Sequence, residues 1–195
     1  IERCTNGIVE TMTELGIDNY EIYTTKAPRD GYEYAKKEVE KGDPIRVYAC
    51  GGDGTLYEVV NACACHKNAE VAAFPLGSGN DFIRIFGDKK DLRNVADHVN
   101  GTVMDFDLIR CGDQYAINQC SMGVDAEVCA KQADFKKLPL LSGEAAYTAA
   151  LLYCFIGRMK SRFTITIDDE EPFTSDVLFC VAGNSRWYGG GYMAA

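Results

Sequence analysis

The sequence predicts an α/β protein, with a parallel sheet and covering helices in its amino-terminal half and a β-rich second half. Three observations carry this. Short apolar runs alternate with amphipathic helix-length segments as far as residue 102; two of those runs end in glycine-rich turns; and beyond Asn100-Gly101 the pattern changes to strands of alternating polarity.

Taken in order, the opening segment reads as a helix, with Ile8, Met12 and Leu15 on one face and Gly16 as its stop. Tyr20 to Thr25 reads as a strand, and Asp30-Gly31-Tyr32-Glu33 opens a helix that closes at Lys41-Gly42. Ile45 to Cys50 is short, mostly apolar and bounded by turn residues, as a buried parallel strand should be. Thr55 then caps a helix, since Thr55-Leu56-Tyr57-Glu58 has capping-box spacing, and Leu56, Val59, Val60 and Cys63 give it one apolar face. A third strand, Val71 to Pro75, leads into a second glycine turn and a short helix near Phe82 to Phe86.

Residues 1–102 are therefore expected to form the α/β domain and residues 103–195 a β-rich second domain. In the latter, Val103 to Ile109, Tyr115 to Cys120, Arg162 to Ile167 and Asp176 to Ala182 read as strands, Asp125 to Ala133 and Gly143 to Tyr153 as helices. Asp168-Asp169-Glu170-Glu171-Pro172 is a charged, solvated hairpin turn. Both ends are expected to be cut: residue 1 is Ile, an alternating fold would place a strand before the first helix, and the chain stops just after Gly189-Gly190-Gly191-Tyr192-Met193.

Composition narrows the function classes. The chain of 195 residues is 47% hydrophobic, enough for a substantial core. Its 20 basic and 29 acidic residues leave a formal charge of −9, which argues against non-specific nucleic-acid binding and against electrostatic attraction to anionic lipid, so any membrane contact would be apolar. Nine cysteines, mostly in apolar runs and without a CxxC pair, suggest reduced, buried thiols in a cytosolic protein. The nearest approach to a metal cluster is Cys63-Ala64-Cys65-His66, but residues two apart do not share a helix face. His66 and His98 read as surface or packing residues. The longest uncharged stretch, Ala145 to Gly157, falls short of the roughly 20 residues that a membrane helix needs.

The chemistry concentrates at Gly51-Gly52-Asp53-Gly54-Thr55. Glycines let the backbone bend and approach a ligand, and the helix start that follows is an anion site. A carboxylate there would repel phosphate unless a cation lay between them or it handled a proton, which points to phosphoryl transfer with magnesium. Gly77-Ser78-Gly79-Asn80-Asp81 again follows an apolar strand, so both turns should meet at the carboxyl edge of the sheet, where Thr25 also falls. An ordinary turn with Asn80 or Asp81 as helix cap is the plainer reading.

Gly51-Gly52-Asp53-Gly54-Thr55-Leu56-Tyr57-Glu58-Val59-Val60-Asn61 and Pro75-Leu76-Gly77-Ser78-Gly79-Asn80-Asp81-Phe82 resemble the paired signatures of the diacylglycerol kinase catalytic-domain family, which includes soluble bacterial diacylglycerol kinases, related bacterial lipid kinases, and sphingosine and ceramide kinases. Gly123 to Val128, Leu141 to Tyr147 and Gly183 to Gly191 agree in order, and the resemblance runs from about Tyr20 to the last residue. It implies an NAD-kinase-like α/β nucleotide-binding domain followed by a sandwich-like lipid-substrate domain. It further implies an ATP- and Mg2+-dependent lipid kinase, most simply one acting on diacylglycerol. Gly51, Gly52, Asp53, Gly54, Thr55, Leu56, Tyr57 and Glu58 would hold the ATP phosphates, joined by Thr25 and by Gly77, Ser78, Gly79 and Asn80. Asp53 and Asp81 match the two catalytic acidic positions, Asp53 reaching Mg2+ directly or through water, and Trp187 and Tyr188 would line the lipid cleft. The implied setting is cytoplasmic, with peripheral contact at the inner membrane face, no nucleic acid, and a homodimer left open.

Three departures qualify the match. Tyr57 stands where the family usually has Asn, and neither the family's Asn-Pro-x-Ser-Gly loop nor its distal general base falls within the sequence. An NAD kinase on the same platform and a nucleotide-binding module without catalysis of its own remain the alternatives.

Overall fold

The computed structural model describes residues 2–88, 90–135, 149–150, 152–154, 160–189 and 191–193. It is mixed α/β, as predicted, and divides into two compact units, residues 1–118 with 183–195 and residues 119–182. In this division residues 103–118 belong with the first unit. Side-chain amides account for this: Asn61 pairs with the Tyr115 backbone, and Asn184 donates to the carbonyls of Asp107 and Ile117.

In the first unit, helix α1 (Glu2–Glu14) ends where expected. Gly16 takes φ +69° and bonds to Thr13 O, while Ile17 N–H bonds to Met12 O, the paired bonds of a glycine cap. Residues 20–25, expected as a strand, form none: among the described residues no ladder partner lies beside them. They are held by side chains instead. Tyr23 stacks on Tyr34 with ring centres 3.8 Å apart and donates its hydroxyl to Asp30. Helix α2 (Asp30–Val39) follows, with Gly42 N–H on Val39 O at its end.

Strands β1 (Ile45–Gly51) and β2 (Ala69–Pro75) pair in parallel, with helix α3 (Asp53–Cys63) connecting them. Their register runs from Ile45 opposite Ala69 to Gly51 opposite Pro75, so the two turns that follow leave the sheet side by side. The predicted apolar face of α3 is the buried one: Leu56, Val59, Val60 and Cys63 join Val39, Ala49, Phe82 and Ile83 in one core cluster. The Leu, Val, Ile and Phe side chains among them each contribute about 1.5–3 kcal/mol by leaving water. Burial also pushes the Cys63 thiol up to about 11. At pH 8 a thiol reagent should therefore modify the exposed Cys65 and leave Cys63 intact in the folded protein, a difference that peptide mass mapping after brief alkylation would read.

Phe82–Phe86 is a 3-10 helix, and a short helix α4 (Val95–Val99) packs His98 against Phe74, with its Nε2 2.8 Å from Leu92 O. The strand expected at Val103 to Ile109 is reduced to β3 (Ile109–Cys111), paired with β4 (Gln114–Ala116). Residues 103–107 are irregular, and Phe106 is held by packing on Phe82, 5.0 Å between ring centres. The strand expected at Tyr115 to Cys120 breaks at residues 117–118, because the Ile117 and Asn118 carbonyls are taken by the Asn184 side chain and backbone N–H.

The second unit holds β5 (Gln119–Gly123) beside β8 (Phe179–Gly183), helix α5 (Val124–Phe135), and an antiparallel hairpin of β6 (Ser161–Ile165) and β7 (Phe173–Val177). The hairpin turn carries the acidic run, with Asp168 at φ +47° and Glu170 N–H on Ile167 O. The expected helix from Gly143 to Tyr153 lies largely outside the described residues. Back in the first unit, β9 (Trp187–Tyr188) pairs with β10 (Tyr192–Met193).

Candidate active site

The two glycine turns touch. Gly51 O accepts from Leu76 N–H at 2.9 Å and Gly77 N–H at 3.1 Å, extending the β1–β2 pairing one step past the strand ends. A Cβ on Gly77 would overlap Gly52 Cα, and one on Gly52 would lie 3.2 Å from Gly77 Cα. Close backbone approach requires the glycine at 77 and makes position 52 tight, and neither has a positive φ. A void of about 10 Å³ beneath the turns, lined by Gly52, Asp53, Asn80 and Ile83 among others, has room for one water.

Helix α3 starts at Asp53, two residues before the expected cap. Gly52 occupies the cap position, and no side chain caps the helix end. Thr55 lies inside the first turn with its side chain against Gly51, so the capping box does not form. Open space lies over Gly54, where a Cβ would meet nothing within 4 Å. First-turn N–H groups have no carbonyl within their own helix to bond to, so this end fits the oxygens of a phosphate.

The carboxylate of Asp53 turns towards the second loop. Its Oδ2 accepts from Asn80 N–H at 2.7 Å and its Oδ1 from Asp81 N–H at 2.8 Å. These bonds, together with its place in the first helical turn, stabilise the charge without a cation. Two backbone amides thus face the charge of this carboxylate. Each oxygen retains a lone pair, so the residue also fits a water-bridged Mg2+. Among the described residues, no cluster of three or more His, Cys, Asp or Glu could hold a metal.

Asn80 shapes the second loop from within. It is buried in the left-handed region at φ +54°, its Oδ1 accepts from Gly77 N–H at 3.2 Å, and its amide donates to Gly77 O. Asp81 is buried, and its Oδ1 lies 3.4 Å from Arg84 Nε. Ser78 is exposed at the tip of the loop.

Tyr57, Glu58, Thr25 and Trp187 each make contacts of their own. Tyr57 faces outward and donates its hydroxyl to Gln114 Oε1. Glu58 points away from the turn and accepts backbone N–H groups at the start of α2. Thr25 packs near Gly31, whose Cβ would lie 3.4 Å from its methyl group. Trp187 covers Arg84, with the guanidinium carbon 5.9 Å from the ring centre.

The sequence reading missed Arg84, which also donates to Gly79 O at 3.3 Å and packs where a Cβ on Gly191 would lie, 3.2 Å away. It named Asn61 and Asn184 only as members of the resembling segments and gave neither a partner, and the signal for Arg84 was a charged side chain within the apolar run Phe82–Phe86.

Paired glycine turns at the carboxyl ends of parallel strands define a class, α/β domains built to hold phosphate. The family follows from comparison. The model of the diacylglycerol kinase catalytic domain matches residues 1–111. A protein of Shewanella frigidimarina named "Probable lipid kinase YegS-like" is 33% identical over 156 residues, covering 77% of this chain and 49% of its own length. A protein of the same name from Pseudomonas putida is 30% identical over 149 residues, covering 74% and 48%. The chain therefore belongs to the diacylglycerol kinase catalytic-domain family of lipid kinases. A crystal structure of a diacylglycerol kinase from Bacillus anthracis superposes with a TM-score of 0.68 at 21% identity, covering 97% of this chain and 62% of the other, a likeness of fold. The chain spans about half the length of the curated relatives it matches. Among the described residues no helix is long and apolar enough to cross a membrane.

Proposed function

We propose that the protein is an ATP- and Mg2+-dependent lipid kinase that transfers the γ-phosphoryl group to a lipid hydroxyl, with diacylglycerol as acceptor and phosphatidic acid as product. The observation that carries this is the joined pair of glycine turns, with α3 opening onto the space above Gly54 while Asp53 is bonded to the second loop. Phosphate oxygens would meet the first-turn amides of α3, with Ser78 at the rim and Thr25 on the nucleotide side. Magnesium bound with ATP would supply charge neutralisation across the phosphates. Asp53 would hold the second loop, Asp81 would act beside it, and catalysis would rest on positioning and charge stabilisation.

The first unit would be the NAD-kinase-like nucleotide half and the second part of the lipid-substrate half, with Trp187 and Tyr188 at the lipid cleft. The protein would work in the cytoplasm at the inner membrane face, touching lipid through apolar side chains because its net charge is −9.

Radiolabelled ATP offered to the full-length protein with diacylglycerol micelles, other lipid micelles or NAD tests the reading. Label should enter phosphatidic acid. Label in NAD, or in no lipid, would overturn it.

A further inference from the structure

We infer that Glu58 is a positioning residue for the nucleotide. It supplies the amino-terminal cap of α2 from a distant helix and so ties the Thr25 segment to the phosphate-binding turn. The inference rests on the kinase reading above.

The start of α2 lacks a cap of its own. Arg29 stands at the cap position in the left-handed region, φ +70°, and its side chain makes no capping bond. The carboxylate of Glu58 fills that role, with Oε1 accepting Arg29 N–H at 2.9 Å and Oε2 accepting Tyr32 N–H at 3.3 Å. A carboxylate at this end of a helix gains from the helix dipole as well as from the bonds.

The other contacts of the segment close it upon itself. Asp30 takes the Tyr23 hydroxyl at 3.0 Å and Lys26 N–H at 2.7 Å, and Tyr23 stacks on Tyr34. Glu58 reaches it from α3, five residues after Asp53 on the helix that begins at the glycine turn. The fit is close. A Cβ on Gly31 would lie 2.8 Å from Glu58 Oε2 and 3.4 Å from the Thr25 methyl group. Glu58 and Thr25 thus flank the same glycine, so loosening the start of α2 that Glu58 caps would reach Thr25. Both Glu58 oxygens are committed to α2, so the residue acts on nucleotide through Thr25 and not by touching phosphate.

The experiment compares the full-length parent with Glu58→Ala, Glu58→Gln and Gly31→Ala, measuring amide hydrogen exchange at residues 29–32 and steady-state kinetics against ATP. Loss of a cap should speed exchange at Arg29 and Tyr32 by about fivefold in Glu58→Ala. KM for ATP should rise by about fivefold with kcat within about twofold of the parent. Glu58→Gln, which still accepts one bond, should fall between parent and Glu58→Ala. Gly31→Ala, which leaves the carboxylate in place in sequence but displaces it in space, should reproduce Glu58→Ala.

Unchanged exchange at residues 29–32 would overturn the cap. Faster exchange with unchanged KM would overturn the positioning role, and a fall in KM would mean that the carboxylate had been facing the phosphates. A parent that does not turn over ATP would sink the kinase reading and the nucleotide role with it. That result is distinct from an active parent whose KM survives Glu58→Ala.

Discussion

Asp53→Asn should reduce kcat/KM for ATP by at least about 100-fold, the equivalent of some 2.7 kcal/mol of transition-state stabilisation. The parent carboxylate receives N–H donors on both oxygens, from Asn80 and from Asp81. An asparagine offers one acceptor and one donor, so whichever way the amide is turned its NH2 group meets a backbone N–H. The second loop loses one of its two ties and gains a repulsion, which should lower stability by about 2 kcal/mol. Denaturant unfolding and lipid-kinase assays on the same preparation separate the two losses. Retention of more than about a tenth of the parent rate would remove Asp53 from the site.

Gly77→Ala should be equally severe for a different reason. The added methyl would overlap Gly52 Cα, and backbone cannot swing aside as a flexible side chain can. Forcing the turns apart also strains the bonds from Leu76 and Gly77 to Gly51 O. We expect a loss of about 3 kcal/mol in unfolding free energy and kinase activity near background. Gly54→Ala is the control, because its Cβ would meet nothing. It should stay within about 1 kcal/mol of the parent in the same unfolding measurement. Equal stability of Gly77→Ala and the parent would show that the turns do not touch.

Much of the fold was legible in the sequence wherever local pattern and tertiary burial agree. The face of α3 at Leu56, Val59, Val60 and Cys63, the glycine stops at Gly16 and Gly42, and the parallel strands ahead of the two turns all follow from spacing and turn chemistry. Errors arose where a segment's partner lies far away. Residues 20–25 and 103–107 have strand-like composition, but a strand needs a neighbour, and composition does not say whether one is present. The break at residues 117–118 depends on Asn184, which no local pattern announces.

At the site the residues were legible and their roles less so. Asp53 stood out as a charge beside phosphate, yet its bond partners lie 27 and 28 positions along the chain. Glu58 fitted a local capping box with Thr55, and the structure instead gives it to a helix that comes earlier in sequence. A side chain able to satisfy a nearby or a distant donor is decided by packing, which spacing alone does not encode.

The contact between Gly52 and Gly77 bears on the cost of binding. Flexible glycine loops usually lose conformational freedom when they close on a ligand. Here that freedom is already gone: each turn blocks the other, Asn80 fixes the second from within, and Asp53 spans both. A nucleotide arriving at this edge of the sheet would meet a preorganised cradle, and the entropy of ordering it would have been spent during folding.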